Sequence, residues 1–309
     1  MRPAAVTVAD IEIHAERLDI TRAAAIYREH GCVVVRGLMR RWAEAIRQDI
    51  EADAARALAL LPHAERIDIG WTTPDGTLFL PAPGGFRRRQ QIMVLPTTYR
   101  TSGALFASAM EPALLDIAEA VLGADIELFM EGQVLYKEPV GGHAKHLHQD
   151  SSYFEHRFDG PMAMLGYTVD TDLVNGALHV VPGSHRDGLL RHVDTFSHLG
   201  LDPVEWPWER AIAVTGAPGD AILFNVHTIH GSRENRSRAS RPVFIHRYRR
   251  ADDFVVVNAT TTADRAHGEA RVGAVGDAVL KSAQRGIMVR GRRAFAAQDA
   301  PLIQASLGP

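Results

Sequence analysis

The stretch HLHQDSSYF, residues 146–154, places His146, His148 and Asp150 at alternate positions. Alternate side chains of a β-strand leave from one face, so these three would converge on one side of a sheet. Imidazole nitrogens and a carboxylate are ligands for a divalent transition metal. The same spacing also suits an ordinary solvated strand face. His-x-Asp recurs at His185–Asp187 and His192–Asp194, so the tripeptide carries little weight by itself. The first copy alone stands between strand-like runs, VLYKEP and MAMLGYTV, and is followed by Tyr153 and Phe154. That setting puts it on or just beyond a core strand.

The His185 copy reads HRDGLL, the lettering of a kinase catalytic loop, but no glycine-rich phosphate loop, strand lysine or DFG accompanies it. A second chemical stretch is GDAILFNVHTIHGSRENRSRASRPVFIHRY, in which a strand runs into His227 and His230 and Arg241 opens the next apolar run. Non-haem iron(II) oxygenases use two imidazoles and one carboxylate on one face of the metal and leave the opposite positions open. If the co-substrate is 2-oxoglutarate, its distal carboxylate needs a cation, for which a guanidinium is suited. His148, Asp150, His230 and Arg241 supply that set. His227 and His230 would face opposite sides of a strand, and the following GS…N and the spacing to Arg241 favour His230.

Three motifs, HLHQDSSYF, NGALHVVPGSH and HTIHGSRENRSRASR, resemble the phytanoyl-CoA dioxygenase family of iron(II)/2-oxoglutarate oxygenases over about residues 20–250. The resemblance implies a double-stranded β-helix, the cupin-like jelly roll. By motif position it implies His148, Asp150 and His230 as metal ligands, Arg241 as the anchor of the oxoglutarate distal carboxylate, and Ser232 and Gln133 beside the co-substrate. It implies Fe(II), 2-oxoglutarate and O2 as cofactor and co-substrates. Related halogenases replace the carboxylate ligand with a small residue, so Asp150 implies hydroxylation or a related oxidation. Relatives of this kind act in specialised metabolism or catabolism. Tyr153, His156, Arg157, Arg247, Arg89 and His146 are candidate substrate contacts, and their polarity points to a small polar or anionic metabolite. The rival reading is a zinc hydrolase using His146, His148 and Asp150; Ser151 stands where its signature needs a further histidine.

These residues need a scaffold. From about residue 125 short β-branched and aromatic runs alternate with Gly/Pro turns, as in IELFMEGQVLYKE, MAMLGYTVDT, GALHVVPGS, AIAVTGAPGDAILFN and PVFIHRYRR. This is the grammar of an antiparallel barrel or sandwich. Before it, DITRAAAIYREHG, RRWAEAIRQDIEADAARALALL and EPALLDIAEAVLG have helical periodicity, CVVVRGL reads as a buried strand, and TTPDGTLFLPAPGGF as loop or hairpin. AVGDAVLKSAQRG predicts a late helix. The expected fold is mainly β with flanking helices, in a single domain. Within it, residues 1–124 form a mainly helical part, 125–250 the jelly-roll core and 251–309 a C-terminal extension.

The 34 basic and 37 acidic residues nearly balance, without long runs of one sign, so neither a nucleic-acid nor a membrane surface is expected. A small molecule is the expected partner. The single cysteine, Cys32, excludes an internal disulfide framework and a Cys-rich metal site, and fits a reducing cytoplasm. No apolar run reaches the length of about 20 residues that a membrane span requires.

Overall fold

The computed structural model describes residues 6–158, 160–195, 199–253 and 286–293. The chain opens with α1 (Val8–Ile11) and β1 (Glu12–His14), followed by α2 (Ile20–His30) and β2 (Cys32–Arg36). Asp19 caps α2 by accepting the Arg22 amide at 3.0 Å, and Gly31 ends it in the left-handed region at φ 72°. The helix buries Ala23, Ala24, Ile26 and Tyr27, and Cys32 to Val35 of β2 are fully buried. Burying each of the three valines stabilises the fold by about 1.5–3 kcal/mol. Helix α3 (Arg40–Leu60) is followed by the strands β3 (Glu65–Ile67), β4 (Gly70–Thr72), β5 (Leu78–Pro81) and β6 (Gln90–Leu95), and packs against β6. Helices α4 (Gly103–Ser108) and α5 (Pro112–Leu122) complete this part.

Then come β7 (Ile126–Leu128), β8 (Gln133–Lys137), β9 (Lys145–His148), β10 (Met162–Tyr167), β11 (Leu178–Val180), β12 (Val193–Asp194) and β13 (Leu199–Gly200). They are followed by β14 (Ile212–Val214), β15 (Ala221–Asn225), β16 (His230–Ser232), β17 (Arg241–Arg250) and β18 (Ile287–Arg290). The large sheet runs β1-β2-β15-β10-β17-β8-β6-β5-β4-β3, with β7 and β18 attached along β17. The small sheet runs β14-β11-β16-β9. Its pairings and those at the centre of the large sheet are antiparallel, and side chains of both sheets line one cavity between them. This is the jelly-roll core that the alternating runs predict.

The described part of residues 1–124 holds five α-helices and also supplies six strands, of which β2 joins β15 and β6 joins β8, so this part extends the large sheet. The three-residue strands β3 and β4 are too short to show a period. In the C-terminal extension Ile287–Arg290 pairs with β7, while nearly all of the helix expected at AVGDAVLKSAQRG falls outside the described residues. No helix among the described residues is long and apolar enough to cross a membrane.

Candidate metal centre

Strand register brings the two histidines together. His148 ends β9, His230 begins β16, and they sit directly opposite one another across an antiparallel pair, with ring centroids 4.3 Å apart. Two residues beyond His148 the chain turns into a short 3-10 helix whose first residue is Asp150. Asp150 Oδ1 lies 3.8 Å from His148 Nε2 and 3.7 Å from His230 Nε2. One ligand atom from each of the three lies within 4.8 Å of the others, and all three residues are buried.

Each imidazole is oriented by its own backbone. His148 Nδ1 is 2.8 Å from the His146 carbonyl oxygen, and His230 Nδ1 is 2.9 Å from that of Thr228. A carbonyl only accepts, so Nδ1 carries the proton in both and each Nε2 lone pair faces Asp150. Burial, then the neighbouring His230, holds His148 well below the ordinary imidazole range; burial likewise lowers His230. For Asp150, burial opposes ionisation, but the Arg247 charge and the two histidines outweigh it and hold the carboxyl below its ordinary range. Two neutral imidazoles and one carboxylate are therefore aimed at one point, and this donor set fits an iron(II) or similar divalent ion.

A bulge decides which neighbours join them. His230 pairs with His148 but Ser232 pairs with Lys145, so three residues of β9 span two of β16. Gly231 permits it: a Cβ there would stand 2.7 Å from the Lys145 carbonyl oxygen. The extra residue breaks the alternation assumed from the sequence. Lys145 lines the cavity, whereas His146 lies outside it with its ring centroid 6.2 Å from that of Trp208. His146 is thus separated from the ligand trio, and the donor set on which the zinc-hydrolase reading depends is not assembled.

The cavity measures about 200 Å³ and contains His148, Asp150, His230, Ser232, Gln133, Arg241, Arg247 and Tyr153 in its wall. Arg241 is placed by two ordered turns. Asn235 binds the Lys137 and Ala239 carbonyls through Nδ2 and accepts the Ser237 amide, which fixes the loop entering β17. On the other side, Gly176, at φ 87°, offers its carbonyl to Arg241 Nη2. A Cβ on Gly176 would meet the Arg233 carbonyl oxygen at 2.5 Å. Burial pushes Arg241 down to about 10, so it stays cationic at neutral pH, and its buried Nε has no protein partner. Tyr153 donates its hydroxyl to the Leu199 carbonyl at 3.2 Å and accepts the Leu199 amide at 3.0 Å, closing one wall.

Three sequence candidates are placed elsewhere. His156 packs against Phe129, with Nδ1 on the Phe154 carbonyl and Nε2 on Arg249. Arg157 is exposed beside a separate shallow groove that includes Tyr27 and His185. Arg89 is exposed and outside the cavity wall. Lys137 and Lys145, both lining the cavity, are cations that the sequence reading passed over. Alternate positions 133, 135 and 137 of β8 all face inward, so that parity was the available signal for Lys137.

A family model, phytanoyl-CoA dioxygenase, matches residues 27–243. A probable alpha-ketoglutarate-dependent hypophosphite dioxygenase of Stutzerimonas stutzeri is 30% identical over 45% of this chain and 50% of its own length. Ectoine dioxygenase of Sphingopyxis alaskensis is 29% identical over 50% of this chain and 53% of its own. The chain spans about half the length of the curated relatives it matches. Among solved structures, the non-heme alpha ketoglutarate dependent carbocyclase SnoK from nogalamycin biosynthesis superposes with TM-score 0.57 at 18% identity, covering 86% of this chain and 93% of that one. That likeness concerns the fold. The family match spans the small sheet, most of the large one, the ligand trio and Arg241, and on that extent the chain belongs to the phytanoyl-CoA dioxygenase family.

Proposed function

We propose that this protein is an iron(II)- and 2-oxoglutarate-dependent oxygenase that hydroxylates, or otherwise oxidises, an unactivated C–H bond of a small metabolite. The observation that carries this reading is the convergence of His148, Asp150 and His230 in a buried cavity that also holds the cation Arg241. Iron(II) held by the three side chains would supply, with oxoglutarate and O2, the oxidising chemistry, succinate and CO2 being the other products. His148 and His230 present fixed lone pairs, and Asp150 contributes the negative charge. Arg241, with its unused Nε, receives the distal carboxylate of oxoglutarate, and Ser232 and Gln133 border the same space. Leu165, Phe224, Val243 and Ile245 line the walls, keeping water from the reacting centre.

A cavity of about 200 Å³ is smaller than the range of roughly 300–1,000 Å³ usual for drug-sized ligands, and the co-substrate must share it. This supports a small substrate over a long acyl chain. Two relatives are named for compact substrates, hypophosphite and ectoine, while others are named for phytanoyl-CoA, so the cavity size carries this preference. We place the reaction in catabolism or specialised metabolism, in a reducing cytoplasm that suits the one buried thiol.

The test is an anaerobic titration of metal-free protein with Fe(II) and 2-oxoglutarate, followed by visible absorption. A charge-transfer band that depends on both additions and weakens in His148→Ala and Arg241→Ala is expected. No band, with tight zinc binding instead, would overturn the reading.

A further inference from the structure

Strand β17 turns Arg241, Val243, Ile245 and Arg247 toward the cavity, so two guanidiniums stand six residues, about 20 Å of strand, apart. Arg247 stands at the other end of this inward row from Arg241, beside the metal ligand Asp150. Its Nη2 is 3.1 Å from Gln133 Oε1 and 3.5 Å from Asp150 Oδ2. Its Nε and Nη1 are buried and have no partner, although the residue is only 6% exposed. Buried donors of a charged group are normally satisfied, and two unused ones bordering a cavity indicate a ligand acceptor.

Charge points the same way. Asp150 is the one carboxylate among the described residues lining the cavity, against Arg241, Arg247, Lys137 and Lys145. Burial lowers both lysines, and the two guanidiniums alone already exceed the single carboxylate. Iron(II) would add two positive charges and oxoglutarate would remove two, leaving the excess in place. Beside Arg247 the wall becomes apolar: its guanidinium carbon lies 5.6 Å from the Phe154 ring centre, and Met130 packs on the same cluster. Met130 lines the cavity at φ 69°, a conformation rare for a non-glycine side chain and concentrated at ligand sites.

Building on the oxygenase reading, we propose that Arg247 receives the anionic group of the primary substrate, a carboxylate or phosphonate on a small carbon skeleton resting against Met130 and Phe154. Arg241 and Arg247 then divide the labour: one end of β17 holds the co-substrate and the other the substrate.

The experiment is calorimetric titration of the nickel(II)-loaded protein, saturated with oxoglutarate, using isobutyrate, methylphosphonate and the neutral isobutyramide as probes. Both anions are expected to bind at least tenfold more tightly than the amide. Arg247→Gln should erase that preference, and Arg247→Lys should retain part of it. An amide that binds as well as the carboxylate overturns the proposal. So does competition between oxoglutarate and the anions, which would assign Arg247 to the co-substrate. A folded Arg247→Gln protein that keeps the preference does the same, and if this variant does not fold, the wild-type preference and competition decide. Failure of nickel(II) and oxoglutarate to bind overturns the oxygenase reading and this one with it; their binding without probe discrimination overturns this one alone.

Discussion

Two sets of buried histidines in this fold do different things. In His148 and His230 one ring nitrogen is tied to a carbonyl two residues back while the other faces the Asp150 carboxylate. In His246 both nitrogens end on neutral hydroxyls, Nδ1 2.9 Å from Tyr99 Oη and Nε2 2.8 Å from Ser108 Oγ. Ser108 donates its proton to the Leu105 carbonyl, so His246 donates from Nε2 and Tyr99 donates to Nδ1. His156 is similarly occupied, by the Phe154 carbonyl and Arg249. Burial alone therefore does not mark a functional histidine; what the second nitrogen faces does.

The sharpest way to break this contrast is to remove one ring from each set. His148→Ala should abolish iron binding and turnover in a protein that still melts cooperatively, and full activity would refute the ligand assignment. Arg241→Ala should raise the KM for oxoglutarate by roughly 10- to 150-fold, the value of one charge-assisted hydrogen bond of about 1.5–3 kcal/mol. The substrate KM should move much less, and equal shifts would place the anchor elsewhere. His246→Leu should instead cost about 1–3 kcal/mol of stability by orphaning Tyr99 and Ser108, with Fe(II) affinity unchanged in the folded fraction; denaturant melts and metal titration together read both. A further contrast is in pH. Burial pushes His156 and His246 down to about 3, against about 6.5 in the unfolded chain. Between those values the unfolded state binds protons that the native state refuses, so stability is complete above about pH 6.5 and declines as pH falls toward 3. A flat denaturation midpoint across that window would contradict it.

Much of this was legible in the sequence because it is local. The helix over DITRAAAIYREHG with its end at Gly31 and the buried run of β2 follow from spacing and residue type. His148, Asp150 and His230 were legible because three separate motifs agreed on them. What escaped depends on pairing between distant segments. His146 shares the parity of His148 and would have joined it on a regular strand, but the mismatch opposite Gly231 sends it outward and turns Lys145 in. No window along β9 records that mismatch, since it is a property of two strands. The β4–β5 hairpin fits the loop or hairpin read at TTPDGTLFLPAPGGF, whereas β3 and β6 escaped for a related reason: they are only 3 and 6 residues long and are specified by the neighbours they pair with.

The bulge in β9 also bears on how such a site changes over generations. Because β9 has one surplus residue between the Lys145 and His148 pairings, a single-codon insertion beside Gly231 in β16 would match the two strands and restore simple alternation. Such an insertion would exchange an inward ammonium, Lys145, for an inward imidazole, His146, while leaving His148 opposite His230. A lineage carrying this fold can therefore alter the charge of its reaction chamber, and with it the range of molecules admitted, by one change of length and without substituting any ligand.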